Sequence, residues 1–172
     1  MVVDNFNRLT CRLKEFTCSD GQCVGASSVC DSHCHCGICD DEHNCTSWRI
    51  RLVNGTHYFG RVDLTTNRLT GTVCDRSWDN SDATVVCKSL GFRFGHSVPR
   101  GYYGYGTGPI WLDDVDCTGD ETALSSCRHG GLGVSNCEHT NDAGVICMND
   151  MPTVPKQVTG PLTRREDYIL VK

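Results

Sequence analysis

Fourteen cysteines in 172 residues constrain this chain more than any other feature. At about 8% of the residues, they would stand as free thiols in a reducing cytosol, whereas an oxidising compartment would turn them into staples. An extracellular or luminal protein is expected. Eight of the cysteines fall between Cys11 and Cys45 and six between Cys74 and Cys147. The first window holds two basic residues against six acidic ones, and few apolar residues beyond Leu13, Phe16, Val24, Val29 and Ile38. Burial alone cannot offset the chain entropy of such a segment, so disulfides or a metal must hold it.

The remaining composition narrows the class further. A net charge of −5 and a pI near 5.7 do not suit phosphate neutralisation, so nucleic acid is not expected as a dedicated partner. No apolar run approaches the roughly 20 residues of a membrane span. Met1 to Thr10 lacks the charged and apolar stretches of a secretory signal, which points to a segment of a longer secreted or membrane-anchored protein. The chain divides into an N-terminal extension (1–10), a first module (11–45), a second module (50–148) and a polar linker or tail (149–172) punctuated by Pro152, Pro155, Gly160 and Pro161.

The second module reads as α+β. Gly60 to Leu64 and Gly71 to Cys74 alternate like strands, and Ser81 to Leu90 carries an apolar face at helical spacing with Gly91 placed to cap its C-terminus. Gly101 to Gly108 is a glycine-rich loop, Ile110 to Leu112 a short buried strand, and Ala123 to Cys127 a second short helix.

In the first window the spacing is Cys11-x6-Cys18-x4-Cys23-x6-Cys30-x5-Cys36-x8-Cys45, with Phe16 before Cys18 and Gly21 before Cys23. Spacing alone leaves 105 connectivities for eight cysteines. The pattern resembles a low-density-lipoprotein receptor class A module, a small disulfide-rich unit with little regular structure. That resemblance implies Cys11 with Cys23, Cys18 with Cys36 and Cys30 with Cys45. It also implies a calcium ion in the C-terminal loop, held by carboxylates and backbone carbonyls. Asp31, Asp41 and Glu42 match three of the four acids, the fourth position falls on His35, and the carbonyl positions fall on Ser28 and His33. Imidazole is a poor calcium ligand, so His35 should weaken the site.

Cys34 and Cys39 have no counterpart in that pattern. They read as a fourth disulfide closing the loop; a zinc site built from Cys34, Cys36 and Cys39 with His33 and His43 is the alternative, disfavoured where thiolates are scarce.

The second module presents Gly71-Thr-Val-Cys74-Asp, Trp78-Asp, Val86-Cys87-Lys-Ser-Leu-Gly91, Gly108-Pro-Ile-Trp-Leu-Asp-Asp-Val115, Asp116-Cys117, Leu124-Ser-Ser-Cys127, Asn136-Cys137, His139 and Asp142-Ala-Gly-Val-Ile-Cys147. It resembles a scavenger receptor cysteine-rich domain, and its six cysteines resemble the group A type. The resemblance implies Cys74 with Cys137, Cys87 with Cys147 and Cys117 with Cys127, around a curved sheet cradling a helix. It also implies cation positions. One set falls on Asp75, Arg76 and Asn141 and is expected to be lost to the arginine. A second falls on Asp113 and Asn136, with Asp79 or Asp82 completing an oxygen set. Turn capping is the competing role for these side chains.

Two surface features are candidates for binding. Arg61, Arg68, Arg76, Arg93, Arg100 and Arg128 would suit sulfated or phosphorylated polyanions if they shared a face. Tyr102, Tyr103 and Tyr105 in the glycine loop offer rigid contact area. Asn54-Gly-Thr56 is a glycosylation acceptor pattern, and Asn44-Cys-Thr46 a weaker one. No nucleophile elbow, zinc-protease motif or phosphate loop occurs, so no enzymatic activity is expected. The function expected is an extracellular ligand-binding ectodomain that engages protein or polyanionic ligands with calcium-supported acidic surfaces. The alternative is a stem or exosite region of a mosaic serine protease, and a thiol-rich metal buffer is a third reading.

Overall fold

The computed structural model describes residues 2–3, 9–43, 45 and 48–150. Asn44, the 46–47 junction and most of the expected 1–10 extension and 149–172 tail lie outside the described residues. Two short antiparallel pairs open the chain: β1 (Val2–Val3) with β2 (Leu9–Thr10), and β3 (Glu15–Thr17) with β4 (Cys23–Gly25). Around β3 and β4 the buried side chains are few: Phe16, Val24, Ala26 and Val29, with Cys18 and Cys36.

Covalent bonds supply what this core lacks. Cys11–Cys23, Cys18–Cys36, Cys30–Cys45 and Cys34–Cys39 are bonded. In the second half Cys74–Cys137, Cys87–Cys147 and Cys117–Cys127 are bonded, and no cysteine is free.

The second half is a curved sheet built on one long strand. β6 (Phe59–Thr66) pairs with β5 (Arg49–Val53), β7 (Leu69–Val73) and β10 (Gly144–Met148) in antiparallel register. β8 (Phe94–Val98) extends the sheet beyond β10, and β9 (Ile110–Leu112) adds a parallel edge to β7. The one α-helix among the described residues, α1 (Asn80–Ser89), starts one residue earlier than its apolar spacing predicts. Asp79 accepts the N–H groups of Ser81 and Asp82, and the Asp82 side chain returns to the Asp79 N–H, forming a capping box. Gly91, at φ +91°, ends it. The second short helix predicted at 123–127 is a three-residue 3₁₀ turn, Leu124–Ser126. So few residues between an extended Ala123 and the bonded Cys127 cannot nucleate an α-helix.

Trp111, Leu64, Leu112, Leu124, Val62, Val73, Val85, Val86, Val115 and Val145 are fully buried in the core of this half. The sheet also touches the first segment. Asn67, at the tip of the β6–β7 hairpin, donates its side-chain amide to the carbonyls of Asp40 and Asp41 at 2.8 Å each.

Candidate ligand-binding site

Two loops meet at the β6–β10 end of the sheet. Asn54 turns the chain at φ +58°, and Gly55 lies so close to the Phe59 carbonyl that a Cβ would sit 2.0 Å from its oxygen. The tight turn that results, closed by Thr56 N–H donating to the Phe59 carbonyl at 2.8 Å, projects His57 and Tyr58 into solvent. The second loop, 100–108, is pinned from below. Buried Asp142 accepts the Gly106 N–H at 2.6 Å, its own carbonyl accepts the Gly101 N–H, Arg61 donates to the Gly104 carbonyl, and Asn54 donates to the Tyr103 carbonyl. His139 bridges Asp142 at 3.0 Å and the Gly108 carbonyl at 3.2 Å.

These turns line up six aromatic rings. Phe92 faces His57 at 6.3 Å, His57 meets Tyr58 at 5.2 Å, and Tyr58 meets Phe59 at 5.1 Å. Phe59 stacks on Tyr103 at 5.4 Å, and Tyr103 meets Tyr102 edge-on at 5.0 Å. Tyr103 anchors the run: its ring presses on Gly144, and burial raises its hydroxyl pKa above the ordinary value. Tyr102 and Tyr105 stand out, 75% and 63% exposed. Tyr105 packs over Gly101, where a Cβ would lie 2.7 Å from its ring. The result is an aromatic strip running from half-buried Phe92 to exposed Tyr102, the kind of surface that buries area at low entropic cost.

The six arginines do not form one face. Arg61 is 5% exposed and gives its guanidinium to Asp63 at 2.8 Å and 3.2 Å, so it cannot serve as the exposed anion contact expected of it. Alternation along β6 explains this, because residues 61 and 63 share one side of a strand. Arg128 lies 3.6 Å from Asp116. Arg93 covers the Phe94 ring, and Arg68 sits at the β6–β7 hairpin. Arg100 adjoins the tyrosine loop with its side chain exposed and its N–H donated to Asp75.

The cation positions implied for this half are engaged by the protein's own donors. Arg76 reaches across to Asn136, with Asp113 at 3.5 Å and Asp114 at 3.9 Å. Asp113 also accepts from Ser135 at 2.8 Å, and Asn141 donates to Asp75 at 3.2 Å. Asp79 and Asp82 are occupied in the capping box, and Asp82 takes the Cys117 N–H as well at 2.9 Å. Burial pushes the Asp82 carboxyl up to about 6, the neighbouring Asp79 charge adding to the shift and two backbone donors opposing it.

In the first segment Asp31, His33, His35, Asp41 and Glu42 come together in one loop, where Asp41 is wholly buried. No bond from Ser28 to this group is found among the described residues.

His57, Tyr58, Phe59 and Phe92 were not singled out from the sequence. Three consecutive aromatic residues within a polar turn were the available signal.

A family model, the scavenger receptor cysteine-rich (SRCR) domain, matches residues 53–148. The chain belongs to the SRCR family. Relatives of its SRCR domain include the macrophage receptor MARCO of Mesocricetus auratus, 48% identical over 98 residues, which are 57% of this chain and 20% of that protein. Galectin-3-binding protein of Mus musculus is 48% identical over 103 residues, 59% of this chain and 18% of that protein. The chain thus spans about a fifth of the length of these relatives. Among solved structures, the third SRCR domain of murine neurotrypsin superposes with a TM-score of 0.55 at 43% identity, covering 59% of this chain and 96% of that one. The dimeric form of the SRCR domain of mouse MARCO gives a TM-score of 0.50 at 45% identity, covering 58% and 94%. A receptor and a binding protein are therefore what this SRCR domain resembles. Among the described residues no helix is long and apolar enough to cross a membrane.

Proposed function

We propose that this chain is an extracellular ligand-binding segment whose SRCR domain, of the six-cysteine group A type, captures protein ligands on the aromatic strip between the 54–59 turn and the 100–108 loop. The observation that carries this reading is the contiguity of that strip, with Tyr102 and Tyr105 exposed at its loop end and Arg100 beside them. Protein is favoured over polyanion for two reasons. Arg61, Arg76 and Arg128 face carboxylates, and the chain as a whole is acidic. Residues 11–45 are read as a low-density-lipoprotein receptor class A-like module. The bonds Cys11–Cys23, Cys18–Cys36 and Cys30–Cys45 are those that the sequence resemblance implies, which supports that reading.

Surface plasmon resonance on the immobilised, non-reduced chain tests the proposal with two probes: galectin-3, for which one relative is named, and dextran sulfate as a polyanion. Tyr102→Ala with Tyr105→Ala should weaken protein capture by about tenfold or more. The melting temperature should be unchanged, because both side chains are exposed. Binding of dextran sulfate alone, lost with Arg93→Ala and Arg100→Ala and indifferent to the tyrosines, would replace this reading with polyanion capture.

A further inference from the structure

The loop from Asp31 to Glu42 carries four acids in twelve residues and turns three of them onto its own backbone. Asp41 is completely buried, and a buried carboxylate requires donors or a cation to compensate it. Asp41 accepts the His35 N–H at 2.7 Å and the Cys36 N–H at 3.3 Å. Glu42 takes two consecutive backbone donors, Asp31 N–H and Ser32 N–H, each at 2.9 Å. Asp31 accepts the His33 N–H at 2.9 Å.

The His35 imidazole faces two of these same acceptor oxygens. Its Nδ1 lies 3.0 Å from the His33 carbonyl, 3.5 Å from Asp41 Oδ2 and 3.6 Å from Asp31 Oδ1. A carbonyl oxygen only accepts, so Nδ1 carries a hydrogen there. Asp31, Asp41 and the His33 carbonyl are oxygens that the sequence resemblance assigned to a calcium ion. Here they converge on an N–H donor instead. Calcium requires six to eight oxygen ligands, and a donor hydrogen among them repels the ion; this donor set does not fit it. The backbone on both sides of His35 is also restrained by disulfides. His35 lies between Cys34, bonded to Cys39, and Cys36, bonded to Cys18. The Cys34–Cys39 bridge joins positions only five apart in sequence and closes this stretch of the loop on itself.

We propose that His35 and the Cys34–Cys39 bridge take the structural place of a divalent cation, so that residues 11–45 hold their fold without calcium. The proposal is independent of how the SRCR domain binds its ligand. Hydrogen exchange of the full, non-reduced chain reads it at the loop amides 31–42 after chelator treatment and again in millimolar calcium. The exchange rates of the wild-type amides should not change. His35→Asp should create a calcium response, about 100-fold slower exchange once calcium reaches 100 times its Kd. Cys34→Ser with Cys39→Ser should speed exchange of the same amides without calcium. Slower wild-type exchange in calcium, reversed by chelator, would overturn the proposal. A His35→Asp chain that ignores calcium would remove His35 as the ion's substitute, and unchanged exchange in the double serine variant would remove the bridge.

Discussion

Asp82 illustrates how far burial redirects a side chain. Its carboxyl is 1% exposed and bonds the N–H groups of Asp79 and Cys117, tying the start of α1 to the 113–117 segment. With a folded pKa of about 6 against 3.8, the folded chain keeps a proton that the unfolded chain has released between those values. Stability from this group is therefore greatest below about pH 4, falls as pH rises through that window, and is flat above it. Urea unfolding of the non-reduced chain should show wild type losing about 1–3 kcal/mol between pH 4 and 6.5 relative to Asp82→Asn, which does not titrate. Sequence identified this residue as acidic but not the direction its carboxyl faces. The same limit applies to Arg76, whose neighbours Asp113 and Asn136 arrive from 37 and 60 residues away. Arg61, expected among the exposed anion contacts, instead pairs with Asp63, its i,i+2 neighbour on the same side of β6.

Regular elements follow local chemistry where the pattern is long enough. The helix over 80–89 shows its apolar face and its terminal glycine in the sequence, whereas its capping box at Asp79 emerges only in the fold. The 110–112 strand, buried at every residue, likewise reads and folds as one. The 123–127 stretch had none of those supports, and only a 3₁₀ turn forms. Contact between elements is less visible. β8 lies against α1 at Gly95, where a Cβ would come 2.2 Å from the Ala83 backbone. Thr84 also bonds Gly95 across that contact. Gly95→Ala should cost about 2–3 kcal/mol by forcing helix and sheet apart, read as a fall in the urea midpoint. A glycine in a strand signals close approach of some backbone, but not of which one.

At the scale of the whole molecule, the cysteine spacing suggests a stapled segment and a domain with a core, while the contact between them is not legible in it. The restraint between them is the β6–β7 hairpin tip. Asn67 is 4% exposed in a left-handed conformation and satisfies two carbonyls of the first segment. Gly133 presses on Ala26 beside it in the same way, a Cβ there lying 2.7 Å from that backbone. Asn67→Ala removes both bonds, leaving the Asp40 carbonyl with only the His43 N–H at 3.4 Å and the Asp41 carbonyl with the Cys30 N–H at 3.1 Å, and should cost about 1–3 kcal/mol. In calorimetry the single transition expected of wild type should separate into two.

The disulfides also set a timetable for biosynthesis. Within residues 11–45 the widest bonded separation is 18 residues, whereas Cys74 and Cys87 find their partners 63 and 60 residues downstream. At about 5–20 residues per second, Cys137 follows Cys74 off the ribosome by about 3–13 s. The first segment can therefore complete its oxidation while the SRCR domain is still being made. Cys74 and Cys87 meanwhile wait as neighbouring thiols, open to pairing with each other, and a thiol–disulfide isomerase would act chiefly on that pair.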